Sequence, residues 1–271
     1  MAFSLAVAGK GGTGKTSLAA LLIQSLIERQ EGPVLAVDAD PNPNLAYALG
    51  YLATKTISEL RNELLDHIRN LPPAVTKDDY LEMGIQECLW EGQGVDLLVM
   101  GAGEGPRCYC AVNSVLRRCI DRLRGAYRYV VMDNEAGLEH LSRCTTQDVD
   151  VLLVVSNGLP VSLQAASRIH ALTERLALRI GQQYLVLNNV ENHDGASFAA
   201  QAKQTGLELL GVVPSDGHLQ HLSQKGESLT RLSEDSAART AVRQILKAAL
   251  SRTAPALGKA EGPAVGADHR R

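Results

Sequence analysis

The densest group of residues suited to chemistry lies near the start of the chain, in the run Gly9–Thr16. It reads Gly-Lys-Gly-Gly-Thr-Gly-Lys-Thr and fits the phosphate-loop pattern G-x-x-x-x-G-K-[ST]. Glycines let backbone N–H groups turn toward phosphate oxygens, Lys15 neutralises phosphate charge, and the Thr16 hydroxyl ligates Mg²⁺. The residues of this loop predicted to bind a nucleotide are Gly11, Gly12, Thr13, Gly14, Lys15, Thr16 and Ser17.

The loop needs a strand before it and a helix after it, and the chain supplies both. Apolar runs of strand length alternate with longer amphipathic segments, which is typical of a parallel sheet covered by helices on both faces. We therefore predict a doubly wound, mostly parallel α/β fold of the P-loop NTPase type. The predicted strands are Phe3–Ala8, Pro33–Val37, Val95–Met100, Tyr129–Met132, Val149–Val155, Tyr184–Leu187 and Leu209–Val213.

Length and composition limit the domain count and the partners. The chain has 271 residues, 45% of them hydrophobic, and a net charge of −3. We predict one ATPase domain over residues 1–250, with a helical insertion at 53–94 and a disordered tail at 251–271. The near-neutral charge argues against a nucleic-acid partner. No apolar run is long enough for a membrane span, so we expect a cytoplasmic protein without a membrane partner.

The phosphate loop contains a second lysine, Lys10, in addition to Lys15. The run Lys10–Thr16 resembles the deviant Walker A motif of the MinD/ParA and nitrogenase-iron-protein superfamily. In that superfamily the lysine matched by Lys10 reaches across a nucleotide-sandwich homodimer to the partner's ATP. The resemblance therefore implies a homodimer that binds and hydrolyses ATP, with Lys10 and Lys15 in catalytic roles.

Two acidic segments follow predicted strands and resemble the switches of the same superfamily. Asp38 and Asp40 match switch I, where the carboxylate at Asp40 positions the attacking water. The run Asp133–Gly137 matches Walker B joined to switch II, where Asp133 holds Mg²⁺ through water and Gly137 moves when the γ-phosphate is lost. The resemblance implies magnesium near Thr16, Asp40 and Asp133, and switch residues Asp38, Asp40, Asp133 and Gly137.

The base side of the site is expected after the sixth and seventh predicted strands. Asn188 matches the superfamily asparagine that pairs with adenine N6 and N7, although the adjacent Asn189 is an alternative reader. Pro214 and Asp216 match the loop that flanks adenine and ribose. These residues complete the predicted nucleotide site.

The five cysteines divide into groups by their surroundings. Cys88 and Cys119 lie on apolar helical faces and are predicted to be core residues, whereas Cys144 stays undecided. Cys108 and Cys110 follow a polar turn and an arginine, which favours the metal-binding thiolate. Two thiolates make half of a tetrahedral metal site, and a two-fold dimer would supply all four.

Two runs point to a narrower family. Residues 108–117, which contain both thiols, and residues 133–143 resemble the CooC-type ATPases that assist nickel insertion into carbon monoxide dehydrogenase. The resemblance implies Ni²⁺, or Zn²⁺, bound by Cys108 and Cys110 at a dimer interface. It also implies carbon monoxide dehydrogenase as the client whose nickel–iron–sulfur cluster is completed.

Two other functions are compatible with the same motifs. An iron–sulfur redox or carrier ATPase resembling the nitrogenase iron protein would use Cys110 and Cys144 of each chain around a shared cluster. A positioning ATPase of the MinD/ParA kind would not need the thiols.

Overall fold

The computed structural model describes residues 2–40, 42–52, 55–67, 76–101, 120–134, 148–175, 179–191 and 195–253. Within these residues, eight strands form one sheet. The strands are β1 Phe3–Gly9, β2 Val34–Ala39, β3 Leu89–Glu91, β4 Val95–Val99, β5 Tyr129–Asn134, β6 Asp148–Ser156, β7 Arg179–Val190 and β8 Glu208–Pro214. Their order is β3-β4-β2-β5-β1-β6-β7-β8, and all neighbours are parallel except β3 with β4.

Helices lie between the strands in the described part of the chain. They are α1 Lys15–Arg29, α2 Leu45–Leu49, α3 Ile57–His67, α4 Lys77–Cys88, α5 Pro160–Arg175, α6 Gly195–Thr205, α7 Gly217–Lys225 and α8 Ala237–Arg252, with a short 3-10 helix at Leu229–Arg231. None of the described helices is both long and apolar enough to cross a membrane.

The sheet buries both of its faces. Side chains alternate along a strand, so Leu5 and Val7 of β1 pack in the cluster with α1, α2 and α8, while Ala6 and Ala8 pack in the cluster with α3 to α6. Strands buried on both faces are apolar throughout, which is why the sequence shows continuous apolar runs rather than alternation. The doubly wound architecture predicted from these runs is confirmed.

The predicted insertion at 53–94 contains more than helices. Leu60, Leu64, Leu81, Ile85 and Cys88 are buried in the cluster beneath the sheet, as predicted for Cys88. The helix ends at Cys88, however, and the next three residues form β3, which runs antiparallel along β4. This pairing occupies the edge of β4 that would otherwise expose unpaired backbone groups.

The predicted domain boundary at residue 250 falls two residues before the end of α8, and residues 254–271 lie outside the described ranges.

The carboxyl ends of the central strands bring the functional segments together. At the end of β1, a Cβ on Gly9 would lie 2.4 Å from the carbonyl oxygen of Val155 in β6, so only glycine lets the chain turn there. Asp38 at the end of β2 is the register partner of Asp133 at the end of β5. The phosphate loop, Asp38 and Asp133 therefore lie at the same end of the sheet, which is formed by the carboxyl ends of its parallel strands.

The contribution of the insertion helices to stability can be measured at Leu64, which is fully buried in the cluster beneath α3. Leu64→Ala should lower the free energy of unfolding by roughly 2–5 kcal/mol, because it removes packed methyl groups and leaves a cavity. Met83→Ala on α4 is the control, since that side chain is 69% exposed. Equal effects of the two substitutions in urea unfolding would contradict the described packing.

Candidate nucleotide-binding site

The phosphate loop is held in shape by glycine conformations and by its own hydrogen bonds. Gly12 and Gly14 have φ of 78° and 82°, in the left-handed region that favours glycine. The backbone N–H and the hydroxyl of Thr13 both donate to the carbonyl of Lys10, at 3.3 and 2.8 Å. Helix α1 begins at Lys15, so its free N–H groups face the space that the loop encloses.

The two lysines of the loop differ in environment. Lys15 is buried, with 8% of its surface exposed, whereas Lys10 is exposed. A buried ammonium at a helix start suits β- and γ-phosphate oxygens of a nucleotide in the same chain. The exposed Lys10 is available to a second molecule, which is the role that the resemblance implies for it.

Two buried carboxyls, Asp38 and Asp133, lie at the ends of the adjacent strands β2 and β5. Asp38 accepts hydrogen bonds from the N–H groups of Asp40 and Leu45, at 3.2 and 2.9 Å. Burial raises the pKa of Asp38 to about 7, and the negative charge of Asp133 adds to this rise. Burial also raises the pKa of Asp133 to about 6, although the nearby Thr16 hydroxyl and Lys15 ammonium oppose it.

Asp133 has the properties of a cation ligand. Both of its carboxylate oxygens are buried without a hydrogen-bond partner among the described residues. A buried unpaired carboxylate is costly unless a cation compensates it. Mg²⁺ prefers oxygen ligands, so Asp133 together with the Thr16 hydroxyl fits magnesium. Asp40 is partly exposed, and its carboxylate accepts the N–H of Asn42 at 2.9 Å.

A cleft of about 210 Å³ extends from the loop toward the ends of β7 and β8. Asn188 and Pro214 line this cleft. Their contact with the base stays a prediction. A second cavity of about 270 Å³, lined by Tyr47 of α2, adjoins the cleft at Ser17 and Ser223. The space for a nucleotide therefore continues on both sides of Ser17.

The structure separates Asn188 from Asn189, the two alternatives for reading adenine. Asn188 is 6% exposed, and its Nδ2 donates to the carbonyl of Thr13 at 2.8 Å. Asn189 is exposed with φ of 59°, and its Oδ1 accepts a hydrogen bond from Gln220 at 2.8 Å. Both asparagines line the cleft.

Some predicted site residues have other contacts or lie outside the described ranges. Asp216 caps helix α7 by accepting the N–H groups of His218 and Leu219, and it also accepts the Ser236 hydroxyl. It is not among the residues that line the cleft, so its predicted contact with the nucleotide stays a prediction. Among the residues singled out in the sequence analysis, Gly137, Cys108, Cys110, Cys119 and Cys144 lie outside the described ranges.

Sequence reasoning missed Gln220, which lines the cleft from α7 and donates to Asn189 and to the Ser215 hydroxyl. Its position in the sequence could have indicated this. Asp216 is a typical helix N-cap residue, and Gln220 follows it by four positions. Gln220 therefore lies in the first turns of the helix that begins at the strand end.

Comparison with known proteins agrees with this geometry. Residues 5–229 match the CobQ/CobB/MinD/ParA nucleotide binding domain. The chain belongs to this family. Since members of the family are ATPases, the prediction of an ATPase is confirmed.

Individual relatives of this CobQ/CobB/MinD/ParA-family ATPase span nearly its whole length. An uncharacterized ATP-binding protein of Methanocaldococcus jannaschii is 42% identical over 233 residues, which are 85% of this chain and 92% of the relative. The carbon monoxide dehydrogenase accessory protein CooC of Rhodospirillum rubrum is 31% identical over 275 residues, covering 94% of this chain and 98% of CooC.

A solved relative shares the fold of this family member. The structure of the septum site-determining protein MinD of Pyrococcus horikoshii, complexed with Mg-ADP, superimposes with a TM-score of 0.63 at 21% identity. The match covers 91% of this chain and 95% of MinD. The match shows that the two proteins share a fold, and the family domain shows that this chain binds a nucleotide.

The role of Lys15 predicts a large loss of activity on its removal. Lys15→Ala should lower the rate of ATP hydrolysis roughly 100-fold or more, because the buried charge that faces the phosphates is lost. Lys77→Ala, at the exposed start of α4, should leave the rate unchanged. Full activity of Lys15→Ala in a phosphate-release assay would exclude this site as the catalytic one.

The raised pKa of Asp38 predicts a pH dependence of stability in the nucleotide-free and metal-free protein. The folded carboxyl has a pKa of about 7 against an ordinary value of 3.8. Between pH 3.8 and about pH 7 the folded state binds more protons at Asp38 than the unfolded state does. The contribution of protonated Asp38 to the free energy of unfolding is therefore complete below the ordinary pKa and is lost as the pH rises through about 7.

Asp38→Asn removes this titration and should reduce the fall in the free energy of unfolding between about pH 5 and about pH 8. The measurement is urea unfolding in EDTA at both pH values. Parallel pH profiles of wild type and variant would contradict the buried environment of Asp38.

Proposed function

We propose that this ATPase is a homodimeric nickel metallochaperone that assists nickel insertion into carbon monoxide dehydrogenase. The observation that carries the proposal is the match to the Rhodospirillum rubrum accessory protein over 94% of this chain. The resemblance of residues 108–117 and 133–143 to CooC-type ATPases supports the same function.

The position of the thiols along the chain suits a coupling to ATP. Strand β4 leads to Met100, whose N–H donates to the carbonyl of Asp38 at 2.8 Å. Cys108 comes seven residues after Gly101 in the sequence. The thiols are therefore close in sequence to the strand that ends beside Asp38.

Cys88, the one cysteine among the described residues, differs from the proposed metal-binding thiolates. Cys88 is 4% exposed, and its thiol donates to the carbonyl of Thr56 at 3.5 Å. Burial raises the pKa of Cys88 to about 11, which disfavours the thiolate that binds metal at neutral pH. Within the described residues, no group of three or more His, Cys, Asp or Glu side chains could hold a metal ion. Cys108 and Cys110 are the proposed nickel ligands because residues 108–117 resemble the CooC-type ATPases.

The proposed cycle uses the nucleotide to change the dimer. ATP closes two chains around the exposed Lys10 and the buried Lys15 of each, and Asp40 positions the water that attacks the γ-phosphate. Hydrolysis releases switch II at Gly137 and reopens the dimer. A metal site shared by four thiolates changes geometry between these states, which biases capture or release of the ion.

A positioning function of the MinD kind is the second candidate. It is favoured by the relatedness to MinD of Helicobacter pylori, which is 26% identical over 84% of both chains. Such a function needs the nucleotide site but not the thiols. Metal binding therefore distinguishes the two proposals.

Replacement of both thiols tests the metallochaperone. Wild type should bind one Ni²⁺ per two chains in anaerobic equilibrium dialysis, because four thiolates complete a tetrahedral site. Cys108→Ala/Cys110→Ala should lose this nickel, while the buried-thiol control Cys88→Ala should keep it.

Two results, one from nickel dialysis and one from a separate reconstitution, would contradict the proposal. Nickel binding that is unchanged in the double variant would overturn the proposed site and favour a MinD-like function. A brown protein with charge-transfer absorption after anaerobic reconstitution with iron and sulfide would instead support the iron–sulfur carrier.

A further inference from the structure

We propose that Asn188 is a positioning residue that braces the phosphate loop, in addition to any contact that it makes with the base. The proposal concerns ATP binding and hydrolysis, and it does not depend on the nickel function. It stands on the contacts of the Asn188 carboxamide with the phosphate loop, which is far from Asn188 in the sequence.

The first contact is the hydrogen bond from Nδ2 of Asn188 to the carbonyl of Thr13, at 2.8 Å. The two residues are separated by 175 positions in the chain. Asn188 is 6% exposed, so water competes little for this bond. The carboxamide therefore ties the end of β7 to the middle of the phosphate loop.

The loop is shaped to receive this side chain. A Cβ on Gly14 would lie 2.2 Å from Nδ2 of Asn188, so any other residue at this position would displace the carboxamide. The backbone of Gly14, with φ of 82°, is also one that glycine favours. The last glycine of the motif thus makes room for Asn188 as well as for the turn of the loop.

The brace continues from Thr13 to the loop lysine. The backbone N–H and the hydroxyl of Thr13 both donate to the carbonyl of Lys10. Asn188 thus fixes Thr13, and Thr13 fixes the backbone of Lys10. Loss of the carboxamide should loosen the half of the loop that carries Lys10, even when no base is bound.

The end of β7 is itself fixed. Asn188 pairs in register with Val213 of β8, and the ladder shifts between Asn188 and Val190. This irregularity accommodates Asn189 in its left-handed conformation. The strand therefore holds Asn188 toward the loop side of the cleft, while Asn189 is hydrogen-bonded to Gln220 of α7.

A carboxamide has enough donors and acceptors for two partners. Asparagine carries two N–H donors on Nδ2 and an acceptor oxygen. The carbonyl of Thr13 uses one N–H, which leaves the other N–H and Oδ1 for the N7 and N6 positions of adenine. Asn188 can thereby connect the base to the phosphate loop without breaking the brace.

A ligand that has phosphates but no adenine distinguishes the two roles of Asn188, which are holding the phosphate loop and contacting the base. Binding of inorganic tripolyphosphate with Mg²⁺ should weaken about tenfold in Asn188→Ala, because a buried hydrogen bond that holds the loop is lost. Asn188→Leu keeps most of the side-chain volume and should show the same loss. Asn62→Ala, on the exposed side of α3, is the control and should bind tripolyphosphate as wild type does.

Kinetics give a second readout. A residue that only read the base would raise the KM for ATP and leave tripolyphosphate binding unchanged. A brace should also lower kcat, since the loop that holds the phosphates is less well placed. Tripolyphosphate affinity in both folded Asn188 variants equal to that of wild type would overturn the proposal.

The wild-type protein provides a test that does not require the variants to fold. A crystal structure with Mg²⁺ and tripolyphosphate should retain Nδ2 of Asn188 within 3.5 Å of the carbonyl oxygen of Thr13. Separation of these atoms when the phosphates are bound would overturn the brace.

Discussion

Two carboxyl groups are held out of water at neighbouring strand ends, and the arrangement of the site depends on how their charge is compensated. Asp38 and Asp133 are register partners on β2 and β5, and burial raises the pKa of both. Asp38 is stabilised by backbone N–H groups, whereas the oxygens of Asp133 have no hydrogen-bond partner among the described residues. Lys15 lies close enough to lower the pKa of Asp133, and Mg²⁺ brought by a nucleotide would complete the compensation.

At the same end of the sheet, hydrogen bonds connect the strand ends to helix α2 and to the phosphate loop. Asp38 accepts the first N–H of α2, so this helix is fixed to the strand that carries the acid. On the other side, Asn188 fixes the phosphate loop to the end of β7. A nucleotide would contact the loop, the acids and the asparagine at once, and so connect strands on both sides of β1.

Much of the fold and site could be predicted because their signals are local. The loop glycines, the apolar strands and the acids at the strand ends each occupy a short stretch, and the sheet then brings them together. Strand β3 was missed since three residues after a helix carry no periodicity of their own. The brace from Asn188 to Thr13 and the cleft position of Gln220 depend on contacts across the sheet edge, and Asp216 serves as a helix cap, which its place in the motif did not reveal.

Native mass spectrometry of the wild-type chain with Mg²⁺, ATP and Ni²⁺ is the most direct test of an ATP-closed dimer that shares one metal site. Conversion of the nucleotide to ADP would be followed in the same samples. The account predicts a species of two chains with two ATP molecules and one nickel ion. Nickel bound by single chains at one ion each, or ATP-bound dimers that carry no nickel, would contradict it.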